Sequence, residues 1–146
     1  MRKAEIHICQ WFRTEPEIVF EYLLRPERLT ETFPGEFRRL RRSPGPDPDG
    51  PGAVREIRLP GLRLREQITR CEAPEFIEYR LVGLRTLVRN HRGLIRFLPE
   101  GGGTLLDYRI ELETRLPGLA AAGLALERPL RTGLEKLAQH WEVRPC

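Results

Sequence analysis

Residues 104–116 and the stretch that follows them decide the fold. Residues 104–116 read TLLDYRIELETRL, and residues 117–143 read PGLAAAGLALERPLRTGLEKLAQHWEV. In the first stretch apolar and charged residues alternate, which is the period of a β-strand with one buried face. After Pro117 the apolar residues recur at helical spacing, which predicts a long C-terminal helix ending near Val143. Pro129 predicts a kink in that helix, because proline has no backbone N–H to donate.

Six earlier segments also have strand character, bounded by proline and glycine turns: 4–12, 36–43, 53–59, 62–71, 75–82 and 87–98. Two short helices, which begin near Pro16 and Pro26, separate the first strand from the second. Short connections between consecutive strands imply antiparallel neighbours. The sequence therefore predicts an α+β fold, in which a seven-stranded antiparallel sheet wraps round the long C-terminal helix that covers its apolar face.

Length and composition indicate one globular domain. A chain of 146 residues suits a single domain over 1–146, and 32% charged residues with 40% hydrophobic ones argue against disorder. No apolar run reaches the roughly 20 residues of a membrane span. The opening residues MRKAE contain no apolar signal segment. We therefore expect a cytoplasmic protein with no membrane span.

The chain has a net charge of +4, and arginine supplies all of its positive side-chain charge except for Lys3 and Lys136. Most arginines alternate with apolar residues, as in Arg63-Leu64-Arg65, which is typical of the solvated face of strands rather than of a nucleic-acid surface. The exception is a basic cluster within residues 38–42. We expect no DNA binding. An exposed edge strand could pair two chains into a homodimer.

The cysteines Cys9, Cys71 and Cys146 are odd in number and widely spaced, which predicts reduced, mostly buried thiols rather than a disulfide framework. Neither Cys-x-x-Cys nor His-x-x-x-His occurs, so we predict no metal site, and no motif indicates a cofactor. A cysteine nucleophile would need a nearby base, and nothing in the sequence places one. The lone serine, Ser43, precedes a proline in a loop, which argues against a serine hydrolase.

Several segments carry a resemblance to a known family: 16–35, 52–59, 65–69, 74–80, 93–97 with 103–104, and 133–137. Together they resemble the START/Bet v 1-like (SRPBCC) superfamily and, within it, the bacterial polyketide cyclase/dehydrase-like branch. The resemblance implies the helix-grip fold, with an internal cavity between sheet and helix. It implies no single reaction, because that superfamily includes cyclases, lipid carriers, hormone receptors and quinone-binding chaperones.

Strand alternation predicts which polar side chains face that cavity. The predicted set is Arg55, Glu66, Tyr79, Arg89, His91 and Tyr108. A β-bulge would exchange the faces beyond it, and a slipped sixth strand would turn Asn90 and Arg92 inward instead.

Three functions fit this pattern. The first is a binding module that encloses a small lipid-like, aromatic or polyketide-like ligand, with Arg55, Tyr79, Arg89 or Tyr108 holding its polar end. The second is a cyclase, dehydratase or isomerase, in which His91 or Glu66 removes a proton next to a carbonyl and Tyr79 or Arg89 stabilises the enolate. Glu66 could instead form a structural ion pair with Arg55 or Arg89. The third is an interaction protein that binds an acidic partner or RNA through its arginine-rich outer face.

Overall fold

The computed structural model describes residues 1–83 and 87–142. In that part of the chain the strands are β1 Arg2–Phe12, β2 Glu36–Arg41, β3 Val54–Leu59, β4 Leu62–Glu72, β5 Phe76–Leu81, β6 Arg89–Glu100 and β7 Gly103–Thr114. They form one antiparallel sheet in the order β1-β7-β6-β5-β4-β3-β2. The predicted seven-stranded antiparallel sheet is confirmed. Its edge strands are β1 and β2, and pairing of two chains along either edge stays a prediction.

Two short helices lie between β1 and β2, as predicted: α1 Pro16–Leu24 and α2 Pro26–Thr32. The C-terminal segment contains α3 Pro117–Ala125, α4 Glu127–Ala138 and a final 3-10 turn, Gln139–Trp141. The predicted helix end at Val143 lies outside the described residues. No helix within the described ranges is long and apolar enough to cross a membrane.

The kink predicted at Pro129 is a break three residues earlier, at Leu126. Helix α3 ends at Ala125, whose carbonyl would normally accept a bond from the residue four positions on. That residue is Pro129, which has no N–H to donate. The chain instead closes α3 with a bond from Leu126 N to Gly123 O at 3.1 Å, and α4 starts at the next residue.

The core lies between the concave face of the sheet and the helices. Leu106 and Tyr108 of β7 are buried together with Ile8 of β1, and the alternation read from residues 104–116 is confirmed. In α4, Leu134 and Leu137 are almost fully buried in the same cluster. Each such side chain contributes about 1.5–3 kcal/mol when it leaves water.

Helix α3 lies directly on the sheet at Gly123. A Cβ on that residue would come within 3.0 Å of the Leu112 side chain and 3.8 Å of Ala4. The small residue therefore lets the helix approach β1 and β7 closely, which closes the cavity on that side.

The cysteines do not follow the expectation of buried thiols. Cys9 is exposed, because the alternation of β1 turns Ile6 and Ile8 inward and so turns Cys9 outward. Cys71 is partly buried. Cys146 lies outside the described residues.

Candidate functional site: an internal cavity with a buried polar cluster

A cavity of about 200 Å³ lies between the concave face of the sheet and the helices. Leucine, isoleucine and phenylalanine side chains form most of its lining. The polar side chains on the lining are Arg55, Glu66, Tyr79, His91 and Tyr108. Sequence alternation assigned all five to the cavity. The break in the C-terminal helix also contributes to the lining, with Leu126 between α3 and α4 and Pro129 in the first turn of α4.

The mouth of the cavity is marked by lining residues that are also exposed to solvent. Leu62 is 43% exposed and follows the tight turn between β3 and β4. Pro34, which follows α2, and Ala122 of α3 are exposed lining residues as well. The cavity therefore opens to solvent where the β3–β4 hairpin faces α3.

Arg55 and Glu66 form an ion pair inside the cavity. The register of β3 and β4 places them directly opposite each other, and Arg55 Nε donates to Glu66 Oε2 at 3.0 Å. Arg55 Nη1 also donates to the Leu23 carbonyl of α1 at 3.3 Å. Within the described residues Nη2 makes no hydrogen bond, and it is not a buried atom left without a partner. Burial raises the pKa of the Glu66 carboxyl, and the Arg55 guanidinium opposes that rise.

Tyr79 and Tyr108 meet at their hydroxyl groups, which form a hydrogen bond. The Arg55 guanidinium lies over the Tyr79 ring, 5.5 Å from its centroid. Burial is the main reason that the pKa values of both phenols are raised. Both tyrosines are therefore neutral hydroxyls near pH 7, and the pair and Arg55 form one continuous polar cluster.

Gly93 makes room for the Tyr79 ring. The two residues are paired across β5 and β6, and a Cβ on Gly93 would clash with the ring at Tyr79 Cζ. Sequence reasoning missed this role. The available signal was a glycine inside a strand pattern, which often marks a close approach of another group.

His91 is placed to donate a hydrogen bond rather than to take a proton. Its Nδ1 accepts a bond from the Leu81 backbone N–H at 3.0 Å, so the proton of the neutral ring is on Nε2. Burial lowers the pKa of His91 to about 4. At pH 7 the ring is neutral, its basic nitrogen is occupied, and its Nε2–H can serve as a donor.

Arg89 was assigned to the cavity, and that placement is wrong. It is exposed and does not line the cavity. The pairing of β6 with β7 shifts between Arg89 and Arg92, and Asn90 takes a left-handed conformation with φ of 52°. The bulge therefore turns Arg89, which precedes it, away from the face that the alternation of β6 predicts. Asn90 and Arg92, which a slipped strand would have turned inward, also point outward. Asn90 bonds to Glu113, and Arg92 bonds to Glu78.

A second, polar cleft of about 420 Å³ lies on the outer side of the sheet at the same place. Pairing between β5 and β6 stops at Tyr79 and Gly93, so the sheet opens there. Tyr79, His91 and Leu112 line both the cavity and this cleft. These three side chains therefore separate the cavity from the outer cleft.

The arginines on the outer face surround a buried carboxylate. Glu56 is 5% exposed. It lies 3.4 Å from Arg38, 3.7 Å from Arg58 and 3.9 Å from Arg65. Glu56 therefore neutralises part of the positive charge on this face.

A curved antiparallel sheet that grips C-terminal helices around a cavity is the helix-grip fold implied by the resemblance found in the sequence, and the family match confirms that resemblance. The chain belongs to the family described as polyketide cyclase/dehydrase and lipid transport, whose model matches residues 12–142. No curated protein matches the chain in sequence.

Solved structures share the fold at low sequence identity. Norcoclaurine synthase from Thalictrum flavum, in complex with dopamine and hydroxybenzaldehyde, is 14% identical with a TM-score of 0.69, over 98% of this chain and 90% of that one. The di-domain ARO/CYC BexL from the BE-7585A biosynthetic pathway is 18% identical with a TM-score of 0.71, over 98% of this chain and 51% of that one. The Aha1 dimer from Colwellia psychrerythraea is 12% identical with a TM-score of 0.65, over 98% of both chains.

Proposed function

We propose that this protein binds a small, largely apolar molecule in the internal cavity and holds one polar end of it at the cluster of Arg55, Tyr79, His91 and Tyr108. The observation that carries the proposal is the mostly apolar cavity with a mouth to solvent, whose polar side chains come from neighbouring strands. Concave, mostly apolar sites with a few polar groups are where proteins bind small molecules. The family's description, which names lipid transport, agrees with this.

The volume limits the size of the ligand. An engineered apolar cavity of about 150 Å³ binds benzene. The cavity here is about 200 Å³, which suits one aromatic ring with short substituents or an aliphatic group of similar bulk. A larger polyketide-like molecule would have to extend through the mouth beside Leu62.

The polar groups favour a ligand with a hydrogen-bond acceptor. Arg55 Nη2, one of the two tyrosine hydroxyls and His91 Nε2–H are available donors, because the other hydroxyl proton lies in the hydrogen bond between the tyrosines. The one carboxylate on the lining, Glu66, is already paired with Arg55 at 3.0 Å. A carbonyl or carboxylate oxygen on the ligand is therefore the expected anchor.

Catalysis is the second candidate, and one observation favours it. Glu66 is a buried carboxylate whose pKa is raised by burial, which is a property of general acids and bases. Against that, its partner Arg55 stabilises the charged form, and the assigned base His91 has an occupied Nδ1 and a pKa of about 4. Binding without turnover therefore has more support. The third candidate function, binding of an acidic partner or RNA by the outer face, has less support than either. Glu56 already neutralises part of the positive charge there.

The test compares two ligands that differ in one oxygen. Acetophenone and ethylbenzene have nearly the same shape, but only acetophenone has a carbonyl. We expect acetophenone to bind about tenfold more tightly, as one hydrogen bond to a charged donor would provide. Calorimetric titration measures both affinities. Native mass spectrometry of the protein as purified would show whether a small molecule of this class is retained.

Two substitutions at adjacent positions test whether the ligands bind inside the cavity. Ile95 lines the cavity and is 2% exposed, whereas Arg96 is exposed on the outer face of the same strand. Ile95→Trp should fill the cavity and abolish binding of both ligands, while Arg96→Trp should leave it unchanged. If neither ligand binds, or if both variants lose binding equally, the cavity is not the binding site.

A further inference from the structure

Three side chains with different ligating atoms meet on the outer face of the sheet, opposite the cavity. On β1 the alternation that buries Ile6 and Ile8 turns His7 and Cys9 outward, two positions apart. The register of β1 with β7 places Asp107 directly opposite Cys9. We call His7, Cys9 and Asp107 the outer triad.

The ligating atoms of the outer triad are close enough to share one ion. His7 Nε2 lies 2.7 Å from Asp107 Oδ1, and Cys9 Sγ lies 3.6 Å from the same nitrogen. All three atoms lie within 4.8 Å of one another. Strand backbones that are hydrogen-bonded in register hold the three Cα atoms, so the cluster needs no rearrangement of the fold to form.

The geometry does not suit a nucleophile with a base and an orienting carboxylate. Such a relay uses the two opposite nitrogens of the imidazole, one toward the nucleophile and one toward the carboxylate. In the outer triad the same atom, Nε2, faces both Cys9 and Asp107. One nitrogen offers either a proton or a lone pair, so it cannot donate to the carboxylate and accept from the thiol at once. A metal ion would satisfy all three atoms together.

One separation within the outer triad already agrees with tetrahedral coordination, and a second is close to it. Zinc bonds of about 2.0–2.3 Å to nitrogen, oxygen and sulfur imply ligand-to-ligand separations of roughly 3.3–3.7 Å. The observed separation of nitrogen and sulfur, 3.6 Å, already has this value. The separation of nitrogen and oxygen is a hydrogen-bond length, and it would open by roughly 0.7 Å when a metal replaces the shared proton.

We propose that the outer triad is a surface site for a divalent transition-metal ion of the zinc class, with three protein ligands and one open position. Thiolate and imidazole select such ions over magnesium and calcium, which take oxygen ligands. On binding, the Cys9 thiol releases its proton to solvent and coordinates as thiolate, while His7 coordinates as the neutral ring. The fourth position accepts water or an external donor. The site lies on the opposite face from the cavity, so it does not depend on the proposed ligand binding.

One neighbouring charge opposes metal binding. Arg109 Nε lies 3.4 Å from Asp107 Oδ1, so its positive charge competes with a cation for that carboxylate. This gives the proposal a specific consequence, because removing the charge should tighten metal binding. A chance association of the metal with a lone cysteine elsewhere would not respond to Arg109.

Cobalt(II) serves as the probe, because tetrahedral thiolate coordination gives it intense visible bands and a near-ultraviolet charge-transfer band. The titration uses the full chain with Cys146→Ser, under a non-chelating reductant. We expect one equivalent of cobalt to develop the thiolate band, and one equivalent of zinc to remove it. Cys9→Ser should abolish the charge-transfer band, and His7→Ala should weaken the affinity more than about tenfold.

Matched controls locate the site. Cys71→Ser and His140→Ala remove the same two residue types elsewhere in the chain and should leave the spectrum and the affinity unchanged. Arg109→Gln should tighten binding severalfold. All the triad side chains point outward, so thermal melts should show each variant folded. The proposal is overturned if cobalt gives no thiolate band, if the band survives Cys9→Ser, or if His140→Ala weakens binding as much as His7→Ala.

Discussion

Two arginine–glutamate pairs on opposite faces of the same sheet differ in little except burial. Arg55 and Glu66 meet at 3.0 Å inside the cavity, with side chains 8% and 9% exposed. Arg92 and Glu78 meet at 2.8 Å on the outer face, where the arginine is 49% exposed and the glutamate 14%. Each pair joins two neighbouring strands, β3 with β4 and β5 with β6, so the main difference between the pairs is their surroundings.

The two carboxyl groups respond in opposite directions. Burial opposes ionisation of both and is the largest effect on each. At Glu66 it prevails, so the pKa is raised in spite of Arg55. At Glu78 burial is outweighed by hydrogen bonds from Arg92 and Thr69, so the pKa is lowered. The inner pair is thus held in surroundings that penalise charge, whereas the outer pair is a surface contact.

Removing one member of the inner pair should have the largest effect. Arg55→Met leaves Glu66 buried without its partner, and we expect a loss of about 3–5 kcal/mol in the free energy of unfolding at pH 7. Urea denaturation measures it. The double variant Arg55→Met with Glu66→Leu should recover most of this loss, because no unpaired charge remains. A single variant that costs no more than the double one would contradict the comparison.

The inner histidine should make stability depend on pH. The pKa of His91 is about 4 in the fold and near 6.5 in an unfolded chain. Its contribution is therefore complete above pH 6.5 and is lost as pH falls toward 4, since only the unfolded state takes up the proton. We expect wild type to lose about 1–3 kcal/mol more than His91→Gln over this range.

Glutamine is the appropriate replacement, because its side-chain oxygen can still accept the Leu81 N–H. Urea midpoints at half-unit pH intervals would reveal the difference. Parallel curves for the two proteins would show that His91 is not held neutral by burial.

The outer pair should give the smallest effect. Arg92→Met should cost at most about 1 kcal/mol at low salt, because the pair is solvated on one side. Salt at about 1 M should erase that difference, since it screens exposed charges, while leaving the cost of Arg55→Met nearly unchanged. Denaturation of both variants at two salt concentrations makes the measurement. Equal salt sensitivity of the two would remove the distinction between the faces.

Alternation along the strands was enough to predict the sheet and most of the cavity. Arg55, Glu66 and Tyr108 lie on regular stretches of strand, where the face follows directly from parity. Arg89 lies before a bulge formed at Asn90. Asparagine is one of the few residues besides glycine that readily takes a left-handed backbone, but its presence in a strand does not by itself fix a bulge. The position of a bulge depends on how β6 pairs with β7, which a single strand does not contain.

The outer triad was beyond sequence reasoning for a similar reason. The alternation of β1 brings His7 and Cys9 to one face, two positions apart, and this much can be read from the chain. Asp107 is about one hundred positions further on, and only the register of the edge pair brings it opposite Cys9. A search for metal ligands by spacing along the chain cannot detect a site that is assembled across strands.

The packing of the Tyr79 ring against Gly93 limits which residues can occupy these two positions in related proteins. Any side chain at position 93 would occupy the space of the ring, so a larger residue there can be accepted only where position 79 carries a smaller one. The two positions should therefore change together among relatives. A relative that replaces the glycine should also lack the tyrosine pair, and its cavity should be anchored by different chemistry.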